Sequence, residues 1–150
     1  MEEIGGVMDN TGARSGKILH EHGLRATPQR RTILAVFRPG EHLSADDVSE
    51  RLEPDLMIDR ATIYRTLERF RDEGILSETD LGGGVRQFEM LQPELHHHLV
   101  CLQCQREITM DDALVMPLRD TIRDQYGFVP RIDHLAIFGY CADCQDDGNR

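Results

Sequence analysis

Apolar residues recur at helical spacing through the first half of the chain and in short strand-like runs through the second. Residues 1–14 are polar and Gly-rich and read as a disordered tail. Residues 15–23 read as a helix ending at Gly23. Thr27 followed by Pro28 opens a second helix, an N-cap oxygen before a proline at the first helical position. Ile33, Leu34, Val36 and Phe37 follow at helical spacing, and Pro39-Gly40 ends the run. Ser44 with Asp47 resembles a capping box and opens a short helix carrying Val48 and Leu52. Asp59 caps a further helix with Ile63, Leu67 and Phe70 on one face and Gly74 just past its end.

The period then changes. Ile75–Thr79 and Val85–Met90 flank Gly82-Gly83-Gly84, which predicts a β-hairpin with a glycine turn. Three helices and a hairpin make a winged-helix pattern, and the helix before the hairpin is the one expected in a DNA major groove. Opposite its apolar stripe it carries Arg60, Thr62, Tyr64 and Arg65. Arginine suits guanine edges or phosphates, and tyrosine a phosphate or a thymine methyl. A small structural helical bundle fits the same pattern.

Residues 91–98 read as a joint containing Pro93 and His96-His97-His98. Leu99-Val100 and Glu107-Ile108 read as strand, 112–126 as helix with Pro117 in its first turn or at a kink, and His134–Phe138 as strand. The expected fold is α+β: a tail over 1–14, a winged-helix DNA-binding domain over 15–91, a hinge over 92–98, an αβ dimerisation domain over 99–145, and a tail over 146–150. So small an αβ unit leaves sheet edges that a second copy would cover, so a homodimer is expected.

Composition adds constraints. The 150 residues are 39% apolar and 29% charged, an ordinary globular balance. No apolar run is long enough to span a bilayer, and the acidic start MEEIGGVMDN lacks a secretory core, so a cytoplasmic protein without a membrane partner is expected. The net charge of −10 argues against nucleic acid until its distribution is considered. Residues 24–38 hold Arg25, Arg30, Arg31 and Arg38 with no acid, and 60–71 hold Arg60, Arg65, Arg69 and Arg71 against Glu68 alone. These are positive patches on an acidic chain that would repel non-specific DNA. Solvated helix faces are the plainer reading of the same residues.

The chemistry lies in cysteine and histidine. Cys101, Cys104, Cys141 and Cys144 form two CxxC pairs, the full thiolate shell of a structural zinc; redox disulfides are the competing reading. His96 and His98 point to one side of an extended segment and His97 to the other. With Glu89 upstream and His42 in the loop before Ser44, they form a donor set suited to Fe(II), Mn(II), Zn(II), Co(II) or Ni(II). A metal held by His42, Glu89, His96 and His98 would tie the DNA-binding half to the zinc-bearing half. A polar linker is the plainer reading of the histidine run.

RATPQRRTIL, RATIYRTLERFRDEGIL, HHHLVCLQC and GYCADC occur in that order, and together they resemble the ferric uptake regulator family over residues 16–145. The resemblance implies a dimeric, metal-activated repressor of operator DNA, with structural zinc on the four cysteines and His42, Glu89, His96 and His98 as the regulatory site. It places Tyr64 and Arg65 at the DNA and Arg25 near the minor groove; Arg86, beside the glycine turn, is our own candidate for a wing contact. Where the family often has a carboxylate, eight residues after the first cysteine, this chain has Thr109, and Asp111 is the expected substitute. Leu95, His97, Met116 and Asp133 stand at the positions of the family's second metal site, which would here be rebuilt from His97 and His134 with Glu78 or Asp80. Glu89 resembles the iron-sensing branch, so Fe(II) is the expected effector; Mn(II), Zn(II), Ni(II) or peroxide sensing are the alternatives within the family. Outside it stand a metal-buffering or thiol redox-switch protein and a metal hydrolase. No nucleophile with its base is evident, so neither an enzyme nor a small-molecule substrate is expected.

Overall fold

The computed structural model describes residues 10–145. The chain divides into two compact units. The first runs to Leu76 and takes in Phe88–Met90; the second comprises Ser77–Gln87 and the chain from Leu91.

The first unit holds four helices: α1 (Asn10–Glu21), α2 (Pro28–Ala35), α3 (Ala45–Arg51) and α4 (Arg60–Asp72). Each cap read from the sequence is made. Thr27 Oγ1 accepts from Arg30 N and Pro28 opens α2. Ser44 Oγ accepts from Asp47 N while Asp47 Oδ2 accepts from Ser44 N at 2.8 Å, a reciprocal box at α3. Asp59 Oδ1 accepts from Thr62 N at the head of α4. Leu19, Ile33, Val48, Ile63, Leu67 and Phe70 are completely buried and form the core, each contributing roughly 1.5–3 kcal/mol.

One expected boundary moves. Helix α1 begins at Asn10, so residues 10–14 are helical rather than tail. Ser15 makes this tolerable: its hydroxyl donates to Thr11 O at 3.0 Å, so a polar side chain is buried with its bond satisfied. Residues 1–9, and the tail expected over 146–150, lie outside the described residues.

The hairpin pairs β1 (Leu76–Asp80) with β2 (Arg86–Met90) across Gly82-Gly83-Gly84, all three at positive φ. At the middle of β2, Leu43 and Phe88 exchange both backbone hydrogen bonds, 2.9 and 2.8 Å, as an isolated antiparallel bridge. That bridge fixes His42 and Glu89, the neighbours of these two residues. The glycine turn belongs to the second unit, with Gly82 against the Phe138 ring.

The second unit is a three-stranded sheet in the order β4-β3-β5 with α5 (Met116–Tyr126). Strand β3 (His96–Cys101) is central, antiparallel to β4 (Glu107–Asp111) and parallel to β5 (Ala136–Gly139). Pro117 lies in the first turn of α5, and Gly127 ends it in the left-handed conformation at φ 59°. The α6 turn (Ala142–Gln145) was not expected. The hinge expected over 92–98 is shortened, because His96, His97 and His98 are the first half of the central strand. Little of this unit's apolar surface is covered: α5 buries none of its residues, and Ile108, Leu118, Phe128, Val129, Ile137 and Phe138 are exposed. No described helix is long and apolar enough to cross a membrane.

Candidate metal centres and nucleic-acid interface

Cys101 closes β3, Cys104 sits in the turn after it, Cys141 immediately precedes α6, and Cys144 lies within α6. Parallel pairing of β3 with β5 brings the two pairs together: Cys101 lies opposite Gly139, and Leu102 N donates to Gly139 O at 2.8 Å. The four sulfurs lie within 4.8 Å of one another, with Cys104 Sγ 3.7 Å from Cys141 Sγ. None of the four is in a disulfide. Four thiolates about 2.3 Å from one ion have sulfurs about 3.8 Å apart, so the spacing fits tetrahedral zinc. The Cys141 and Cys104 backbone N–H groups hold the Cys101 thiol down at about 6. Hydrogen bonding to Cys141, then burial, pushes Cys144 up to about 12. Four thiolates side by side need a cation, and a dication supplies it. Arg106 braces the two turns through Asp143 at 2.6 Å.

In the first unit, Glu89 is buried to 1% exposure and its Oε2 lies 3.1 Å from His42 Nε2. A carboxylate costs several kcal/mol to bury unless a positive charge or a metal accompanies it. The helices and β2 hold it at the core boundary beside an imidazole, an arrangement suited to coordinating a cation.

In the second unit the three consecutive histidines divide by strand alternation. His96 and His98 share one face, with ring centroids 5.0 Å apart, and His134 joins them at 5.2 and 4.5 Å. The Nε2 atoms of His98 and His134 face each other in close contact. His98 Nδ1 lies 2.6 Å from Glu107 Oε1, and His134 Nδ1 lies 3.1 Å from Ser77 Oγ. His97 turns to the other face and is wholly buried. Its Nδ1 accepts from Leu135 N at 2.9 Å and its Nε2 meets Asp112 Oδ1 at 2.8 Å. Arg119 grips the same carboxylate at 2.6 and 3.0 Å and donates to Ile132 O. The Arg119 guanidinium, then His97, holds the Asp112 carboxyl down at about 2.

This arrangement bears on two expectations from the sequence. The second metal site, expected from His97, His134, Glu78 and Asp80, is not assembled among the described residues. His97 is bound to Asp112, Glu78 lies 3.2 Å from Arg86, Asp80 Oδ1 accepts from Gly82 N at 2.8 Å, and His134 stands with His98. Asp111 is opposite His96 in the ladder, but its Oδ1 accepts from Ala113 N at 2.7 Å. Glu107, Asp112, Arg119 and Ser77 were not singled out from the sequence. Only Glu107, two residues before Thr109 on a predicted strand, left a signal there.

On α4, Arg60 and Arg65 are exposed. Arg60 is 3.1 Å from Asp46, and Arg65 donates to Thr62 Oγ1 at 3.3 Å. Thr62 donates to Asp59 at 2.7 Å. Tyr64 is half-buried, edge-on to Phe88 with centroids 6.4 Å apart, so only part of its ring is open to a ligand. Arg25 is exposed in the loop before α2. Arg86 is half-buried and paired with Glu78.

Comparison with known proteins accords with these features. The profile of the Ferric uptake regulator family matches residues 21–138. The "Ferric uptake regulation protein" of Synechococcus elongatus is 37% identical over 143 residues, covering 92% of this chain and 97% of that protein. That of Escherichia coli K12 is 34% identical over 134 residues, covering 86% and 90%. The crystal structure of the Vibrio cholerae ferric uptake regulator aligns with a TM-score of 0.60 at 32% identity, covering 84% of this chain and 98% of that one. The Pseudomonas aeruginosa regulator with manganese aligns at 0.66 and 27% identity, covering 85% and 98%. With ordered motifs, fold and matched profile in agreement, this chain belongs to the ferric uptake regulator family.

Proposed function

We propose that the chain is a cytoplasmic transcriptional repressor that binds double-stranded operator DNA as a homodimer when a divalent metal, Fe(II) foremost, occupies a regulatory site. The observation that carries this reading is Glu89, a buried carboxylate beside His42 in the DNA-binding half. His42 and Glu89 would share one ion with His96 and His98, linking the two units. A divalent cation there supplies a cross-link between neutral imidazoles and a carboxylate. Everything else is done by the chain. The Leu43–Phe88 bridge fixes the first donor pair relative to the core that carries α4. Strand β3 fixes the second pair on the sheet that would dimerise. Linking the pairs would restrict the spacing of the two α4 helices of a dimer to successive major grooves, about 34 Å apart. A hundredfold gain in DNA affinity needs only about 2.7 kcal/mol of such coupling.

The four cysteines would hold a permanent zinc that supports the fold. The exposed apolar residues of the second unit supply a surface for the partner copy. Arg60, Arg65, Thr62 and Tyr64 would face bases and phosphates, with Arg25 toward the minor groove and Arg86 on the wing. Relatives named for iron favour Fe(II); manganese in the Pseudomonas aeruginosa structure favours a second reading, Mn(II) sensing. Binding rather than turnover accounts for every cluster described.

The test is DNA-binding anisotropy on the gene's own upstream region with zinc-loaded protein, titrated anaerobically with Fe(II), Mn(II), Ni(II) and Zn(II). A sharp rise in affinity with one metal, lost in His96→Ala while the dimer persists, is expected. A His96→Ala protein that responds fully to metal would sink the assignment of the regulatory site.

A further inference from the structure

We propose that His134 is a ligand of the regulatory metal, adding its imidazole to those of His96 and His98, and that this imidazole-rich set turns the site away from Mn(II) toward Zn(II), Ni(II), Co(II) and Fe(II). The inference rests on the regulatory-site reading above and names a donor outside it.

Three features of the second unit carry it. The first is spacing. A metal about 2.1 Å from each imidazole nitrogen lies about 3.2 Å from each ring centroid, so rings meeting at 90–110° have centroids about 4.5–5.2 Å apart. The three observed separations are 4.5, 5.0 and 5.2 Å.

The second is direction. The Nε2 atoms of His98 and His134 face each other, while each Nδ1 has an outer partner, Glu107 for His98 and Ser77 for His134. A ligating histidine is held in this way, with one nitrogen on an oriented oxygen and the other toward the ion.

The third is rigidity. Arg119 holds the Ile132 carbonyl two residues before His134. His97 Nδ1 accepts from Leu135 N just after it, and Leu135 O accepts from His98 N at 2.8 Å. The backbone on both sides of His134 is therefore anchored to the network around β3. His97 and Arg119 act as positioning residues.

Thr109 lies opposite His98 in the ladder, with no carboxylate to give, and Asp111 caps the turn after β4. Imidazole in place of a carboxylate favours borderline cations and disfavours manganese, which prefers oxygen donors.

The experiment uses full-length, zinc-loaded protein with Co(II) as the probe, followed by visible absorption and by competition with Mn(II). His134→Ala should weaken Co(II) at least tenfold, change its d–d bands and narrow the preference for Co(II) over Mn(II), while retaining the thiolate-bound zinc. His42→Ala should weaken Co(II) as well. Unchanged affinity and spectrum in His134→Ala, alongside loss in His42→Ala, would overturn the role of His134 and leave the regulatory reading intact. No change in either variant would overturn both. Should His134→Ala fail to fold, the unsubstituted Co(II) protein decides: hyperfine-shifted exchangeable imidazole protons from His42, His96, His98 and His134 are expected, and the lack of a signal in contact with Ser77 would refute the proposal.

Discussion

Replacing Asp112 with asparagine tests whether the buried His97 is held by charge. The carboxylate accepts both Arg119 nitrogens and meets His97 Nε2 at 2.8 Å. Asparagine keeps the shape and removes the charge, leaving the Arg119 guanidinium at 17% exposure without its counterion. With the Asp112 carboxyl at about 2 rather than the usual 3.8, the ionised form is favoured by about 2.5 kcal/mol. Asp112 is itself one-fifth exposed, so solvent screening makes that a ceiling. We expect Asp112→Asn to cost about 1–2 kcal/mol at pH 7.

The assay is urea unfolding of the zinc-loaded protein by circular dichroism, at one protomer concentration because dimerisation would contribute. The sign follows from the depressed pKa. Stability from Asp112 is fully present above about pH 4 and is lost as pH falls through about 2. Between pH 7 and 5 the penalty of the substitution should therefore be constant. A penalty under about 0.5 kcal/mol would show that the charge does not hold the network. A penalty that already shrinks across that interval would place the titration elsewhere.

Cys141→Ser should release the zinc and, with it, the dimer, read by metal analysis and size-exclusion chromatography; a zinc-bearing dimer would refute the four-thiolate staple. Phe88→Ala should cost about 3–5 kcal/mol, because a completely buried ring is removed together with its edge contact to Tyr64. The same variant should weaken regulatory metal binding, since the buried Phe88 ring packs the strand that carries Glu89 against the core; intact metal affinity would show that this packing does not position Glu89. Arg65→Ala should weaken operator binding in the metal-loaded state while leaving metal affinity unchanged; a salt slope lowered by about one marks a phosphate contact, and relaxed base preference marks a base contact.

What was legible in the sequence was whatever local spacing encodes. Thr27-Pro28, Ser44 with Asp47, and Asp59 each fixed a helix start, because a cap is made within three residues. The paired CxxC motifs announced a four-thiolate cluster because zinc needs four ligands whatever lies between them. The start of α1 was misread because residues 10–14 are small or polar and carry Gly12, with no large apolar position to extend the helical period; the bond from the buried Ser15 hydroxyl to the Thr11 carbonyl shows only in the structure. The histidine run read as a joint for a related reason. Imidazoles favour neither strand nor burial by composition, and only the partners Asp112 and Glu107 make a buried strand of them.

His134 was the hardest residue to place, for a physical reason. Its position beside His98 depends on the parallel register of β3 with β5, which a crossover through α5 sets and no sequence spacing states. Shift that register by one residue and His134 faces away from His98, while Asp133 takes its place. The anchors that prevent such a shift are Leu135 on His97 and Arg119 on Ile132, both dependent on Asp112. The histidine that turns away from the cluster thus fixes which residue enters it. Asp112→Asn should accordingly loosen regulatory metal binding as well as the fold, although Asp112 ligates nothing.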